Sequence, residues 1–252
     1  MGDIKVGVIP AAGAGKRLSE LPLTKILPKP MLPVLNKPIL EYVIRNMKKM
    51  GTNQIYIVVG NKKGCIQNYF EDGSDFDIKI DYIHNKNVKE GLAYSIGLAE
   101  EFVKEPFVVI LGDDLTITNS FENLKNIFKK NKALAVEGIT VEKNIEKLKQ
   151  TCCVKIDENG LIKNLIEKPV KPSTNIRGCG IYIFDPKIFD FIKKTPLTLP
   201  RNEREITNTL KIMAQENYVY GACVNGKNIN INTFSDLLEA TKILLKLKSE
   251  IR

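Results

Sequence analysis

Residues 8–34 read VIPAAGAGKRLSELPLTKILPKPMLPV and gather Gly13, Gly15, Lys16, Arg17, Lys25 and Lys29 into one short stretch. Glycines let a backbone approach a ligand closely and aim its N–H groups at an anion. Arg17 offers a planar fork that matches phosphate oxygens. Lys29 lies between Pro28 and Pro30, which restrict the backbone around it. A lysine fixed in this way stabilises developing charge better than a mobile one. Two standard phosphate loops are excluded. The dinucleotide pattern G-x-G-x-x-G is met by Gly13 and Gly15 but has Leu18 in its third place. A P-loop would need glycine where Pro10 stands and Ser or Thr where Arg17 stands. Further along, Asp113 and Asp114 follow Gly112 directly after the apolar run FVVIL, an acidic pair at the end of an expected strand. Asp114 also reads as a turn or helix cap. Glu167-Lys168 precedes Pro169; taken alone, the pair reads as a surface ion pair.

The elements that must position these groups alternate. Residues 4–9 form a short apolar run that ends in the glycine loop, as a buried strand does. Asn36 is placed to cap a helix with Pro38 in its first turn, and Ile39, Leu40, Val43, Ile44 and Met47 recur at helical spacing until Gly51. Strands are expected at 54–59, 79–83 and 107–111. A short helix near 65–70 and an amphipathic helix carrying Leu92, Ala93, Ile96, Ala99 and Phe102 separate them. This alternation predicts an α/β fold with a mostly parallel central sheet flanked by helices. In such sheets ligands bind beyond the carboxyl ends of the strands, where both the glycine loop and Asp113 fall. The second half predicts a small antiparallel elaboration: a strand at 134–141, a hairpin at 154–164 turning at Asn159-Gly160, and a strand at 180–184. Helices follow after Asp185-Pro186, across 203–217, and from Ser235 onward. One domain over residues 1–252 is the simplest organisation.

Composition narrows the partners. The net charge of +9 favours anionic ligands. The lysines are scattered, with no basic run interleaved with aromatics, which argues against nucleic acid. Five cysteines (Cys65, Cys152, Cys153, Cys179 and Cys223) form no C-x-x-C pair, and His84 is the single histidine. A zinc site and Ser-His or Cys-His catalysis are therefore disfavoured. No run reaches the roughly 18–20 apolar residues of a membrane span, and the start MGDIKVGVIP lacks the zones of a signal peptide. A cytoplasmic protein without membrane partners is expected.

The run AAGAGKRL, with LTKILPKPMLPVLNKPILEYVI after it, resembles the signature of the sugar-1-phosphate nucleotidylyltransferases, above all uridylyltransferases and thymidylyltransferases. The likeness continues in order through EGLAYSIGLAEEFV, VVILGDD, LIEKP, GIYIFDP and INTFSDLLEA. The resemblance implies a Rossmann-like nucleotidyltransferase fold. It also implies transfer of a nucleoside monophosphate from a triphosphate, UTP or dTTP, to a sugar 1-phosphate such as glucose 1-phosphate, with Mg²⁺ and release of pyrophosphate. Under it, Arg17 and Lys29 would be catalytic. Ala11, Ala12, Gly13, Gly15 and Lys16 would lie along the nucleotide, with Asn85, Lys86 and Gly91 near its base or ribose. Glu167, Lys168 and Gly180 would hold the sugar phosphate, and Asp113 and Asn230 the metal. The sequence departs from the family pattern at Lys16, at Cys152 or Cys153 where a glycine is usual, and at Asn230 where aspartate is frequent. Those departures keep two alternatives open: a catalytically silent nucleotide-binding regulator on the same fold, and a cytidylyltransferase for another phosphorylated acceptor. The resemblance also allows a homo-oligomer, with the final helix serving either an interface or the protomer's own core. No C-terminal left-handed β-helix domain is expected.

Overall fold

The computed structural model describes residues 3–13, 15, 18, 21–118, 120–199 and 202–250. The chain runs β1 (Val6–Pro10), β2 (Pro33–Val34), β3 (Lys37–Pro38), α1 (Ile39–Lys49), β4 (Gln54–Val59), α2 (Lys63–Phe70), β5 (Lys79–His84) and α3 (Leu92–Gly97). It continues through β6 (Phe107–Ile110), β7 (Asp114–Ile117), α4 (Glu122–Asn131), β8 (Ala135–Val141), α5 (Ile145–Leu148), β9 (Cys152–Ile156) and β10 (Ile162–Glu167). The last elements are β11 (Ile176–Phe184), α6 (Ile188–Lys194), α7 (Ile206–Gln215), β12 (Val219–Cys223), β13 (Lys227–Asn230) and α8 (Phe234–Glu250).

The parallel strands β6-β1-β4-β5 make the centre of a nine-stranded sheet. The long strand β11 joins β6 antiparallel and carries the β9–β10 hairpin and β8 beside it. In turn β8 pairs parallel with β12. The expected mostly parallel centre with an antiparallel addition is what forms. β1 and β6 are apolar because both their faces are covered: Val8, Ile9 and all four β6 residues have no exposure. One core lies on the α1, α2 and α4 side and a second on the α3, α6 and α7 side. On α1, Ile39, Leu40, Val43, Ile44 and Met47 are fully buried, each contributing about 1.5–3 kcal/mol relative to exposure.

Local expectations are corrected in four places. Asn36 does not cap α1. Residues 33–38 fold into the tiny β2–β3 hairpin, with Leu35 at φ 57°, so extended Pro38 takes the N-cap position. The amphipathic helix from Leu92 stops at Gly97, and Phe102 stays half exposed against the Tyr56 ring. Ser235 lies inside α8. Thr233 caps it instead: its Oγ1 accepts from Asp236 N at 3.2 Å while Asp236 returns a carboxylate to Thr233 N at 2.7 Å. This is the reciprocal arrangement of a capping box. Finally, Asp114 opens β7 rather than capping a helix or turn, because β7 pairs with the distant β13. A small third core forms where Ala240, Leu237, Ile243 and Leu244 of α8 meet Leu32, Val34, Ile39 and Leu115. The last helix therefore closes the protomer's own core. No helix among the described residues is long and apolar enough to cross a membrane.

Candidate active site

The ends of β1 and β6 lie side by side, since the two strands pair in register from Val6↔Phe107 to Val8↔Val109. Lys29 reaches this place from a 3₁₀ turn, Lys29–Met31, entered through extended Pro28. Its side chain is only 9% exposed. Gly15, at φ 61°, passes so close that a Cβ there would lie 3.1 Å from Lys29 Cβ. The lysine Nζ donates to Asp113 Oδ2 at 2.5 Å and to Asn232 Oδ1 at 3.1 Å. Three segments far apart in sequence thus meet at one ammonium group.

Asp114 joins a network of polar side chains. It is 1% exposed. β7–β13 pairing sets Asn230 opposite it, and Asn230 Nδ2 donates to Asp114 Oδ2 at 3.0 Å. Asn228 donates to Asp114 Oδ1, Thr116 Oγ1 and Cys179 O, and is itself held by Arg177 through two bonds of 2.7 Å. Burial, then the Asp113 charge, push Asp114 up to about 7, against the Asn230 bond and the Arg177 and Lys29 cations. Gly180, at φ 64°, is packed against this carboxylate: a Cβ there would fall 2.1 Å from Asp114 Oδ2. Asn230 Oδ1 accepts from the Asn232 amide.

Asp113, Asp114, Asn230 and Gly180 line one wall of a cavity of about 210 Å³. Glu167 and Lys168 line the same cavity, paired at 2.6 Å. Thr207 Oγ1 donates to the second Glu167 oxygen at 2.8 Å. Lys168 adopts φ 46° as the chain turns out of β10, with its N–H bonded to Thr151 O. Cys152 faces the cavity, and burial raises its thiol well above the ordinary range. Cys153 turns away to Thr174. Of the two cysteines, Cys152 is the one whose side chain lines this cavity. Ala11, Ala12 and Gly13 line a second cavity of about 140 Å³ with Gly60, Lys62 and Val88. Gly60 is needed there because a Cβ would lie 2.7 Å from Ala12 O.

The structure thus brings Asp113, Asn230, Gly180, Glu167 and Lys168 together around one cavity, with Lys29 bonded to its Asp113 and Asn232, and Ala11, Ala12 and Gly13 to another. Gly15 braces Lys29. Lys16 and Arg17 lie outside the described residues. Three expected positions are not brought to either cavity. Asn85 is fully buried and uses its amide on Ser95 Oγ and Asn87 N. Lys86 is exposed. Gly91, at φ 95°, presses on the Arg204 backbone, where a Cβ would lie 2.5 Å from the carbonyl oxygen. Sequence reading missed Asn232, Thr207, Tyr182 and Glu137, which all line the larger cavity. For Glu137 a signal existed: one carboxylate inside the apolar run ALAVEGITV.

Sheet, strand-end cavity and the Lys–Asp and Lys–Glu pairs beside it define an α/β protein with a ligand site of mixed charge at its strand ends. The chain belongs to the nucleotidyl transferase family, which it matches over residues 6–246. It is 35% identical over 246 residues to the low-salt glycan biosynthesis nucleotidyltransferase Agl11 of Haloferax volcanii, covering 96% of this chain and 67% of that protein. It is 36% identical over 247 residues to the bifunctional protein GlmU of Methanocaldococcus jannaschii, covering 97% of this chain but 56% of that protein. The chain therefore spans between about half and two thirds of the length of these relatives. The crystal structure of a UDP-glucose pyrophosphorylase complexed with UDP-glucose superposes with a TM-score of 0.85 at 28% identity, over 96% of this chain and 99% of that one.

Proposed function

We propose that this nucleotidyltransferase moves a nucleoside monophosphate from UTP or dTTP to a sugar 1-phosphate, of which glucose 1-phosphate is the first to test, and releases pyrophosphate. The observation that carries the reading is one cavity lined by Asp113, which is bonded to Lys29, and by Glu167 and Lys168, which are bonded to each other. One cation serves the triphosphate, the other the acceptor's phosphate. A phosphate oxygen of the acceptor attacks the α-phosphorus in line. The bond to the β-phosphate bridging oxygen breaks, and pyrophosphate leaves with the electron pair. The nucleophile is already an anion, so no general base is needed. Catalysis then consists of positioning and charge neutralisation. Lys29 stabilises the charge that builds at the α-phosphate, and Arg17 holds the departing pyrophosphate. Glu167 takes sugar hydroxyls, with Thr207 fixing its carboxylate, and Gly180 lines the acceptor's part of the cavity while leaving room for the Asp114 carboxylate.

The donor set fits Mg²⁺. Asp113 and the carbonyl oxygen of Asn230 are hard oxygen ligands on one cavity wall, and Mg²⁺ is commonly held by one or two such groups plus substrate phosphates and water. Bound there, the ion would neutralise and align the triphosphate. Soluble NTP and sugar phosphate are the partners of this reading, and the cytoplasm is the compartment that supplies both.

Kinetics with a panel of triphosphates and sugar 1-phosphates test this assignment. Lys168→Ala is expected to raise the acceptor KM at least tenfold and leave the triphosphate KM within twofold. An equal rise in both, or none, removes Lys168 from the acceptor end.

A further inference from the structure

Glu137 sits on β8, which pairs with β11 on one side and with the edge strand β12 on the other, opposite Tyr182 and Gly221. It is 1% exposed, yet it lines the larger cavity. Its Oε2 has no hydrogen-bond partner among the described residues. A buried polar atom left unpaired in this way costs free energy in the empty protein. The fold makes room for it by an irregularity. Register between β11 and β8 shifts between Gly178 and Tyr182, and a Cβ on Gly178 would fall 2.2 Å from Glu137 Oε1. Any other residue at 178 would expel the carboxyl. Lys168, which lines the same cavity, is bonded to Glu167 instead.

We infer that Glu137 is a specificity-determining residue for the acceptor: its Oε2 accepts a hydrogen bond from an N–H or O–H substituent on the acceptor's ring. The inference rests on the reading that the acceptor occupies this cavity. The phosphate end of the acceptor is fixed at Lys168, so its ring lies across the cavity between Glu167, Cys152 and Gly178, with Glu137 beneath. Glu137 and Glu167 together select an acceptor rich in donors. An amino substituent satisfies Glu137 at least as well as a hydroxyl, whereas a deoxy position leaves it unpaired. Sites built to bond a particular donor discriminate strongly against analogues that lack it, because the site's own polar group is then stranded.

The test compares wild type with Glu137→Leu and the isosteric Glu137→Gln, using glucose 1-phosphate and its monodeoxy and amino analogues. Pyrophosphate release gives acceptor KM, and titration calorimetry beside a non-hydrolysable triphosphate analogue gives acceptor affinity without turnover. For wild type, one deoxy analogue is expected to bind 10- to 100-fold more weakly. In Glu137→Leu the acceptors that carry the donor weaken 10- to 100-fold while that one deoxy analogue keeps its affinity, so its penalty disappears, and the triphosphate KM stays within twofold. Glu137→Gln, which retains an acceptor oxygen, shows the same pattern at smaller size and covers the case in which the leucine variant fails to fold. A structural role alone would leave the deoxy pattern unchanged. Unchanged acceptor affinity in both variants, or a deoxy penalty that persists in both, overturns the inference. Absence of pyrophosphate release from wild type with every pair would refute the proposed reaction instead, and the calorimetric comparison would still decide Glu137.

Discussion

Glu137→Gln should change how stability depends on pH. Burial, followed by the charge of Glu167, pushes the Glu137 carboxyl from the ordinary 4.5 up to about 8. A carboxyl raised on folding binds more protons in the folded chain than in the unfolded one between those two values, so stability falls as pH rises through that window. The window spans about 3.5 pH decades, each equivalent to about 1.4 kcal/mol, giving a ceiling of about 5 kcal/mol. Water entry and side-chain relaxation lower this, and roughly 2–5 kcal/mol is expected. Asp114 has the same sign over a window ending near 7, but it is present in both proteins and cancels in the difference. The assay is urea unfolding of wild type and variant at pH 5, 7 and 8.5. The variant should gain on wild type steadily from pH 5 to 8.5, while its own curve keeps the slope due to Asp114. Two curves that stay parallel within about 0.5 kcal/mol, the usual tolerance for independent sites, would refute the claim that Glu137 is buried without a partner.

Three further outcomes follow from the site. Lys29→Met should lower turnover by about 10²–10³-fold, the scale of losing one preorganised electrostatic contact, with substrate KM values changing much less; steady-state kinetics check this. Gly180→Ala must place a side chain at φ 64° and 2.1 Å from Asp114 Oδ2, so it should cost at least about 1–2 kcal/mol in thermal unfolding and impair activity together. Asn230→Asp should lower the Mg²⁺ concentration for half-maximal rate, since a carboxylate replaces a neutral ligand. It should also destabilise the metal-free protein by setting a charge against Asp114, and both effects are read by titrating Mg²⁺ in activity and melting assays.

The parts legible in the sequence were those decided by neighbours in the chain. Continuous apolar runs marked β1, β4 and β6, and the Gly160 turn marked the β9–β10 hairpin, with Gly160 at φ 79°. Lys29 was legible because flanking prolines announce a fixed backbone, and the structure shows it buried against Asp113. What escaped depends on distant pairing. The facing residues Asp114 of β7 and Asn230 of β13 are 116 positions apart in the chain, and nothing local tells Asp114 to start a strand instead of capping a turn. The capping of α8 by Thr233 rather than Ser235 depends on where Asp236 folds back. Glu137 was visible as a charge in an apolar strand, but only the irregular β8–β11 register reveals that it faces a cavity. Likeness to the family alone places Asn85 near the base, and in the structure its amide ties the following loop to α3.

The most direct measurement is pyrophosphate release when purified protein meets each common triphosphate with a series of sugar 1-phosphates in Mg²⁺. Release should require both substrates, match the NDP-sugar formed one to one, and be abolished in Arg17→Ala and Asp113→Ala. Tight binding of nucleotide with no pyrophosphate from any pair would contradict the proposed reaction and leave a protein that senses these ligands without joining them.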